Sequence, residues 1–86
     1  MIIYKTTNTV NGKIYIGKDK KNNSNYLGSG MILSSAIKKY GRDFFIKDII
    51  EECSTEAQLN EREKYWIDLH RSYDRNIGYN IARGGD

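Results

Sequence analysis

Proline is missing from this 86-residue chain altogether, and cysteine, histidine and tryptophan occur once each. A lone cysteine, Cys53, excludes an internal disulfide and a cysteine-rich zinc site. It reads as a small residue closing an apolar strand. One histidine, His70, far from Cys53 in sequence, offers no Cys/His nucleophilic pair. No apolar run approaches the roughly 18 residues of a membrane span. The start, Met1 to Lys5, carries no basic segment followed by a long apolar stretch, so no signal peptide is read there. These absences fit an intracellular, reducing setting without membrane attachment. The glycines do not form a nucleotide-cradling loop, and no small-molecule cofactor is expected. With 12% aromatic residues the composition is that of one small folded domain.

Charge of one sign is also thin. Fourteen Lys and Arg against eleven Asp and Glu leave a net charge of +3. Its distribution is uneven. Lys13, Lys18, Lys20, Lys21, Lys38, Lys39, Arg42 and Lys47 face only Asp19 and Asp43 over residues 13–47, whereas residues 51–63 hold five Glu and one Arg. A basic first half permits a polyanion-facing surface. Scattered solubilising lysines read equally well from charge alone.

Ile2-Ile3-Tyr4-Lys5-Thr6-Thr7 and Lys13-Ile14-Tyr15-Ile16 are strand-like segments around Asn11-Gly12. A two-residue type I′ turn is expected there, with positive φ at both positions. That turn sets Val10 opposite Lys13 and Tyr4 opposite Asp19. Ile3, Lys5, Thr7, Ile14 and Ile16 then share one face, and Tyr4, Thr6, Asn8, Tyr15 and Gly17 the other. The first face is fit for a core. The second presents two tyrosines and a glycine that leaves approach open.

Residues 18–30 are polar and read as a long loop, of the kind that is usually functional or mobile. Ser29 is a candidate cap for a helix at about 31–40, with Ile32, Leu33, Ala36, Ile37 and Tyr40 at helical spacing and Gly41 as its stop. Phe44 to Glu51 reads as a third strand. Thr55 and Gln58 resemble a capping box opening a helix at about 56–69, with Leu59, Trp66, Ile67 and Leu69 as core candidates. The stretch from Ile77 to Asp86 reads as extended.

Glu63 lies inside the apolar stripe of that second helix, in line with Leu59, Trp66 and Ile67. A carboxylate there needs a charged partner or a metal if buried, or it borders the stripe and pairs with a surface lysine. Tyr4 and Tyr15 are strand residues by propensity. On one face, followed by Gly17 and Lys18, they also form a polar set, in which a cation such as Lys18 can lower a tyrosine pKa towards general-base use. His70, near a helix end, suits a contact with a last carbonyl. Gly28-Ser29-Gly30 before a helix suits an anion, weakly. Tyr26 can stack on a base or anchor its loop.

Ile2-Ile3-Tyr4 and Tyr15-Ile16-Gly17 resemble the two motifs of the GIY-YIG nucleases. Further blocks follow in the family's order: Asn11-Gly12-Lys13-Ile14, Tyr26-Leu27-Gly28-Ser29-Gly30, Ala36-Ile37-Lys38-Lys39-Tyr40-Gly41, Glu61-Arg62-Glu63-Lys64-Tyr65-Trp66-Ile67 and Gly78-Tyr79-Asn80-Ile81. The chain is most similar to the catalytic domains of phage and intron-encoded homing endonucleases. The resemblance implies an α+β fold, a three-stranded antiparallel sheet flanked by helices, and hydrolysis of DNA with Mg²⁺ or Mn²⁺. It implies Tyr4, Tyr15, Lys18, Glu63 and Asn80 as the catalytic set, with Glu63 as metal ligand. Gly17, Lys20, Lys21, Tyr26, Lys38, Lys39 and Arg42 are the expected DNA contacts. Two departures stand out. Ile2 replaces the first motif glycine, and the arginine of many relatives falls on Asn25, with Ser34 and Ser35 where others carry a basic residue. An inactivated variant, or a DNA-binding module without catalysis, is the alternative. Residues 1–86 are expected to be one catalytic-type domain, with a separate DNA-binding domain absent and binding weak and unselective. Oligomeric state is left open.

Overall fold

The computed structural model describes residues 1–81, so the expected extended end over residues 82–86 lies outside the described part. The order of elements is β1 (Ile2–Asn8), β2 (Ile14–Asp19), α1 (Met31–Tyr40), a 3₁₀ turn (Arg42–Phe44), β3 (Phe45–Glu52) and α2 (Glu56–His70). The strands form one antiparallel sheet in the order β2-β1-β3. This is the α+β architecture expected from the resemblance.

The hairpin differs from expectation at its turn. Tyr4 pairs with Gly17 and Thr6 with Tyr15. The loop therefore spans Thr9 to Gly12, closed by Asn8 N–H to Lys13 O at 2.9 Å and Gly12 N–H to Asn8 O at 2.7 Å. Val10 is not opposite Lys13, and only Gly12 of the Asn-Gly pair has positive φ. The asparagines favour the longer loop. Asn8 Oδ1 accepts from Val10 N–H and Asn11 Oδ1 from Lys13 N–H, each at 2.9 Å. These side chains satisfy loop donors that a tighter turn would pair through the backbone. The slip is two residues per pair, so every side chain keeps its expected face.

Those faces are covered differently. Ile3 and Ile16 pack on Leu59 and Ile67 of α2, and all four are 0% exposed. Leu69, expected in this core, is 56% exposed at the far side of α2. Thr55 caps α2 as expected: Gln58 N–H donates to Thr55 Oγ1 at 3.1 Å, while Gln58 Oε1 accepts from the N–H of Ser54, one residue before the cap, at 2.7 Å. Over the other face lie Leu27, α1 through Leu33 and Ala36, and Tyr79. Ser29 does not cap α1. Gly30 holds the N-cap position without a side-chain bond, while Gly41 stops the helix as expected. The strand expected from Phe44 starts at Phe45, after the 3₁₀ turn. Cys53 is only half-buried.

Residues 77–80 run beside β2. Ile14 donates to Ile77 O at 3.1 Å and accepts from Tyr79 N–H at 2.8 Å, in a parallel bridge with Gly78. This backbone pairing continues the sheet past the edge of β2. No described helix is long and apolar enough to cross a membrane.

Candidate active site

Cross-strand register builds the site. Gly17, Tyr4 and Ile49 form one row across the sheet, and Tyr15, Thr6 and Lys47 form the next. All point away from α2. The Tyr4 and Tyr15 rings lie 6.4 Å apart, and Tyr26 meets Tyr4 edge-on at 6.1 Å. Tyr4 is 1% exposed and Tyr26 38% exposed.

Gly17 has a different use from the one expected. A Cβ there would overlap the Tyr4 hydroxyl. The space left by its missing side chain is filled by Tyr4 rather than left open to a substrate. Gly28, at φ +131°, similarly yields its space to the Tyr15 ring and Leu33. Tyr15 is hydrogen-bonded to Ser29, which explains why Ser29 leaves the helix cap.

Glu63 comes from the opposite side. It is 8% exposed between Leu59 and Ile67 on α2. Its carboxylate lies 3.6 Å from Lys18 Nζ, which also donates to Asn60 Oδ1 at 2.7 Å. Gly17 and Lys18 are adjacent on β2, so Lys18 points to the α2 face and Tyr4 to the other. Lys18 therefore serves Glu63, not Tyr4 as the sequence reading had it. The Glu63 charge nonetheless reaches both phenols and contributes to raising their pKa values. The carboxylate thus acts on the tyrosine pair through its charge, from the α2 side of β2.

Burial is the main force on the tyrosines. It drives the Tyr4 phenol far above its ordinary value, and the neighbouring Tyr15, Tyr26, Asp19 and Glu63 add to it. It raises Tyr15 as well, with the bonds to Ser29 opposing in part. Both phenols hold their protons more tightly than a free tyrosine does. The cation on Tyr4 is Lys47, 4.4 Å above the ring centroid and 5.9 Å from that of Tyr26. Lys47 was not among the expected site residues. Its place opposite Thr6 follows from β3 lying against β1 in the observed register.

Asn80 is engaged with the backbone. Its Oδ1 accepts from Ile16 N–H and its Nδ2 donates to Ile16 O, both at 2.9 Å. It holds the strand segment between Tyr15 and Gly17. The remaining expected contacts are spread over the surface. Lys20 pairs with Glu56 at 2.9 Å, and Lys21 is exposed in the same loop. Lys38 and Lys39 are exposed in the last turn of α1. Arg42 Nη2 donates to the carbonyl of Asn25. Among the described residues no three His, Cys, Asp or Glu cluster as a metal cage.

Comparison with known proteins shows the family and the fold. The GIY-YIG catalytic domain family matches residues 1–80. The chain belongs to the GIY-YIG catalytic domain family. It is 42% identical to the putative endonuclease segE of Enterobacteria phage T4, with 96% of the chain and 41% of that protein covered. Endonuclease segA of the same phage is 37% identical over 96% of the chain and 38% of its own length. The chain thus spans about two fifths of these curated relatives. Among solved structures it is similar to a point mutant of the catalytic domain of intron endonuclease I-TevI. The TM-score is 0.76 and the identity 30%, over 94% of this chain and 92% of that one. A second structure of the I-TevI catalytic domain gives a TM-score of 0.70 at 32% identity, over 93% and 96%. The expected family and fold are both shown.

Proposed function

We propose that this GIY-YIG domain hydrolyses phosphodiester bonds of DNA at the edge of β2, with Glu63 holding one divalent cation. The observation that carries the reading is a nearly buried carboxylate whose charge acts on the buried phenol of Tyr4 and the half-buried phenol of Tyr15 from the opposite sheet face. The endonuclease names of the relatives support DNA as the substrate. Their phage origin supports action inside a phage-infected or bacterial cell.

The donor set fits a hard cation. One carboxylate, without a cage of side chains around it, suits Mg²⁺ or Mn²⁺, which keep several waters and accept phosphate oxygens as ligands. When bound, such an ion supplies positive charge against the charge developing on the phosphate. The residues of the chain do the rest. Lys18, bonded to Asn60, fixes the Glu63 carboxylate and balances its charge. Tyr4 and Tyr15, both protonated, orient the attacking water and a phosphate oxygen through their hydroxyls. Asn80 keeps Ile16 and so the spacing of Tyr15 to Gly17. Tyr26 and the exposed lysines of the 18–30 loop and α1 border the entering strand.

Nicking of supercoiled plasmid with Mg²⁺, Mn²⁺ or EDTA tests this. The chain should nick with either ion and not in EDTA. Glu63→Gln keeps volume and polarity but loses the charge, so the rate should fall about 10³-fold or more with an unchanged thermal midpoint. Salt-sensitive binding of intact plasmid without nicking would establish the non-catalytic module instead.

A further inference from the structure

Beside the tyrosine pair, the 18–30 loop and β3 enclose an open groove of about 400 Å³. Its walls include Ser24, Asn25, Arg42, Asp43 and Lys47. Two cations from one side of the groove reach loop carbonyls on the other. Lys47 Nζ donates to Asn23 O at 2.7 Å, and Arg42 to Asn25 O. Asp19 stands 3.8 Å from Lys47 and accepts from the N–H groups of Lys21 and Asn23 at 2.9 and 2.7 Å.

We propose that this groove is a phosphate subsite for the DNA strand flanking the reacting phosphate, with Arg42 and Lys47 as its cations. The proposal rests on the nuclease reading above and adds a site to it. An ammonium has three donors and a guanidinium five. The loop carbonyls use one of each, and the Asp19 oxygen is too far from Lys47 for a hydrogen bond. Both cations are therefore aimed by the loop with donors left over. The Lys47 side chain is only 8% exposed, so its charge acts with little screening. Asp43 on the same wall and Asp19 beside Lys47 balance the two cations, so a phosphodiester is held there by the spare donors of Arg42 and Lys47 rather than by a net positive charge. Lys47 also lies over Tyr4, so the groove and the tyrosine pair share a wall. A strand seated there passes Tyr26 and reaches the tyrosines. The chain lacks a basic side chain at position 25, yet the fold brings Arg42 to the backbone of that very residue.

The test is the salt dependence of binding to a short duplex in EDTA, where no cleavage competes. Each lost phosphate contact should lower the slope of log K against log salt by about 0.9. Arg42→Ala and Lys47→Met should each remove about one unit, their combination about two, and Lys47→Arg should restore it. Circular dichroism and thermal midpoints confirm folding, and exposed Arg42 keeps the test available if Lys47→Met unfolds. Unchanged slopes in folded Arg42→Ala and in its combination with Lys47→Met would overturn the subsite while leaving the nuclease reading intact. A wild-type chain that does not bind duplex at low salt would overturn both.

Discussion

The two faces of the sheet are built from the same three strands and do opposite things. Towards α2 the contacts are Ile3 and Ile16 on Leu59 and Ile67, an apolar layer with buried Glu63 and half-buried Lys18 as its polar pair. The other face carries Tyr4, Thr6, Asn8, Tyr15 and Lys47, and nearly every polar atom has a defined partner. Thr6 Oγ1 donates to Leu27 O at 2.6 Å, and Asn8 Nδ2 to Tyr79 Oη at 3.0 Å. One face holds the fold by burial under α2, and the other adds to its own apolar cluster under α1 hydrogen bonds that also position functional groups. Glu63 belongs by sequence to the first and by chemistry to the second, and the edge strand β2 is where they join.

Breaking the apolar face should cost stability most. Leu59→Ala should destabilise by about 2–5 kcal/mol, read as a denaturant midpoint shift, because a fully buried side chain leaves a cavity. Activity per folded molecule should survive at low temperature. Breaking the polar face at its tightest point should do the reverse. Gly17→Ala forces a methyl into the Tyr4 hydroxyl, costing about 1–3 kcal/mol. Its main readout is lost nicking at temperatures where the variant is fully folded.

How much of this the sequence disclosed depends on the element. The two faces were legible because a two-residue slip preserves parity, even though the turn itself was misread. The misreading arose from Asn8 and Asn11, whose side chains bond their own loop. Glu63 was legible from its place in the helix stripe. Lys18 was expected beside a phenol, but alternation with Gly17 along β2 turns it to the α2 face and to Glu63. The Asp19, Arg42 and Lys47 cluster was illegible without the register of β3. That register passes a bulge at Ile3 and Tyr4, which sequence alone does not place.

Two smaller effects sharpen the contrast. The folded chain holds the Tyr4 proton more tightly than the unfolded chain does. Stability from this source is complete below the ordinary tyrosine value of about 10 and falls as pH rises above it. Tyr15 contributes in the same direction. Urea midpoints should therefore drop steeply above about pH 10, and Tyr4→Phe should flatten the drop. Least of all, Lys20→Ala removes an exposed ion pair with Glu56 and should leave the thermal midpoint unchanged within error.

The central claim is that Glu63 and the tyrosine pair form one site around the edge of β2. Titration with Mn²⁺, followed by nuclear magnetic resonance, reads this directly, because the ion broadens signals of the nuclei nearest to it. Broadening should centre on Glu63, Gly17, Tyr4 and Tyr15, spare Ile46 on β3, and vanish in Glu63→Gln. Broadening centred elsewhere, or persisting in Glu63→Gln, would contradict the account.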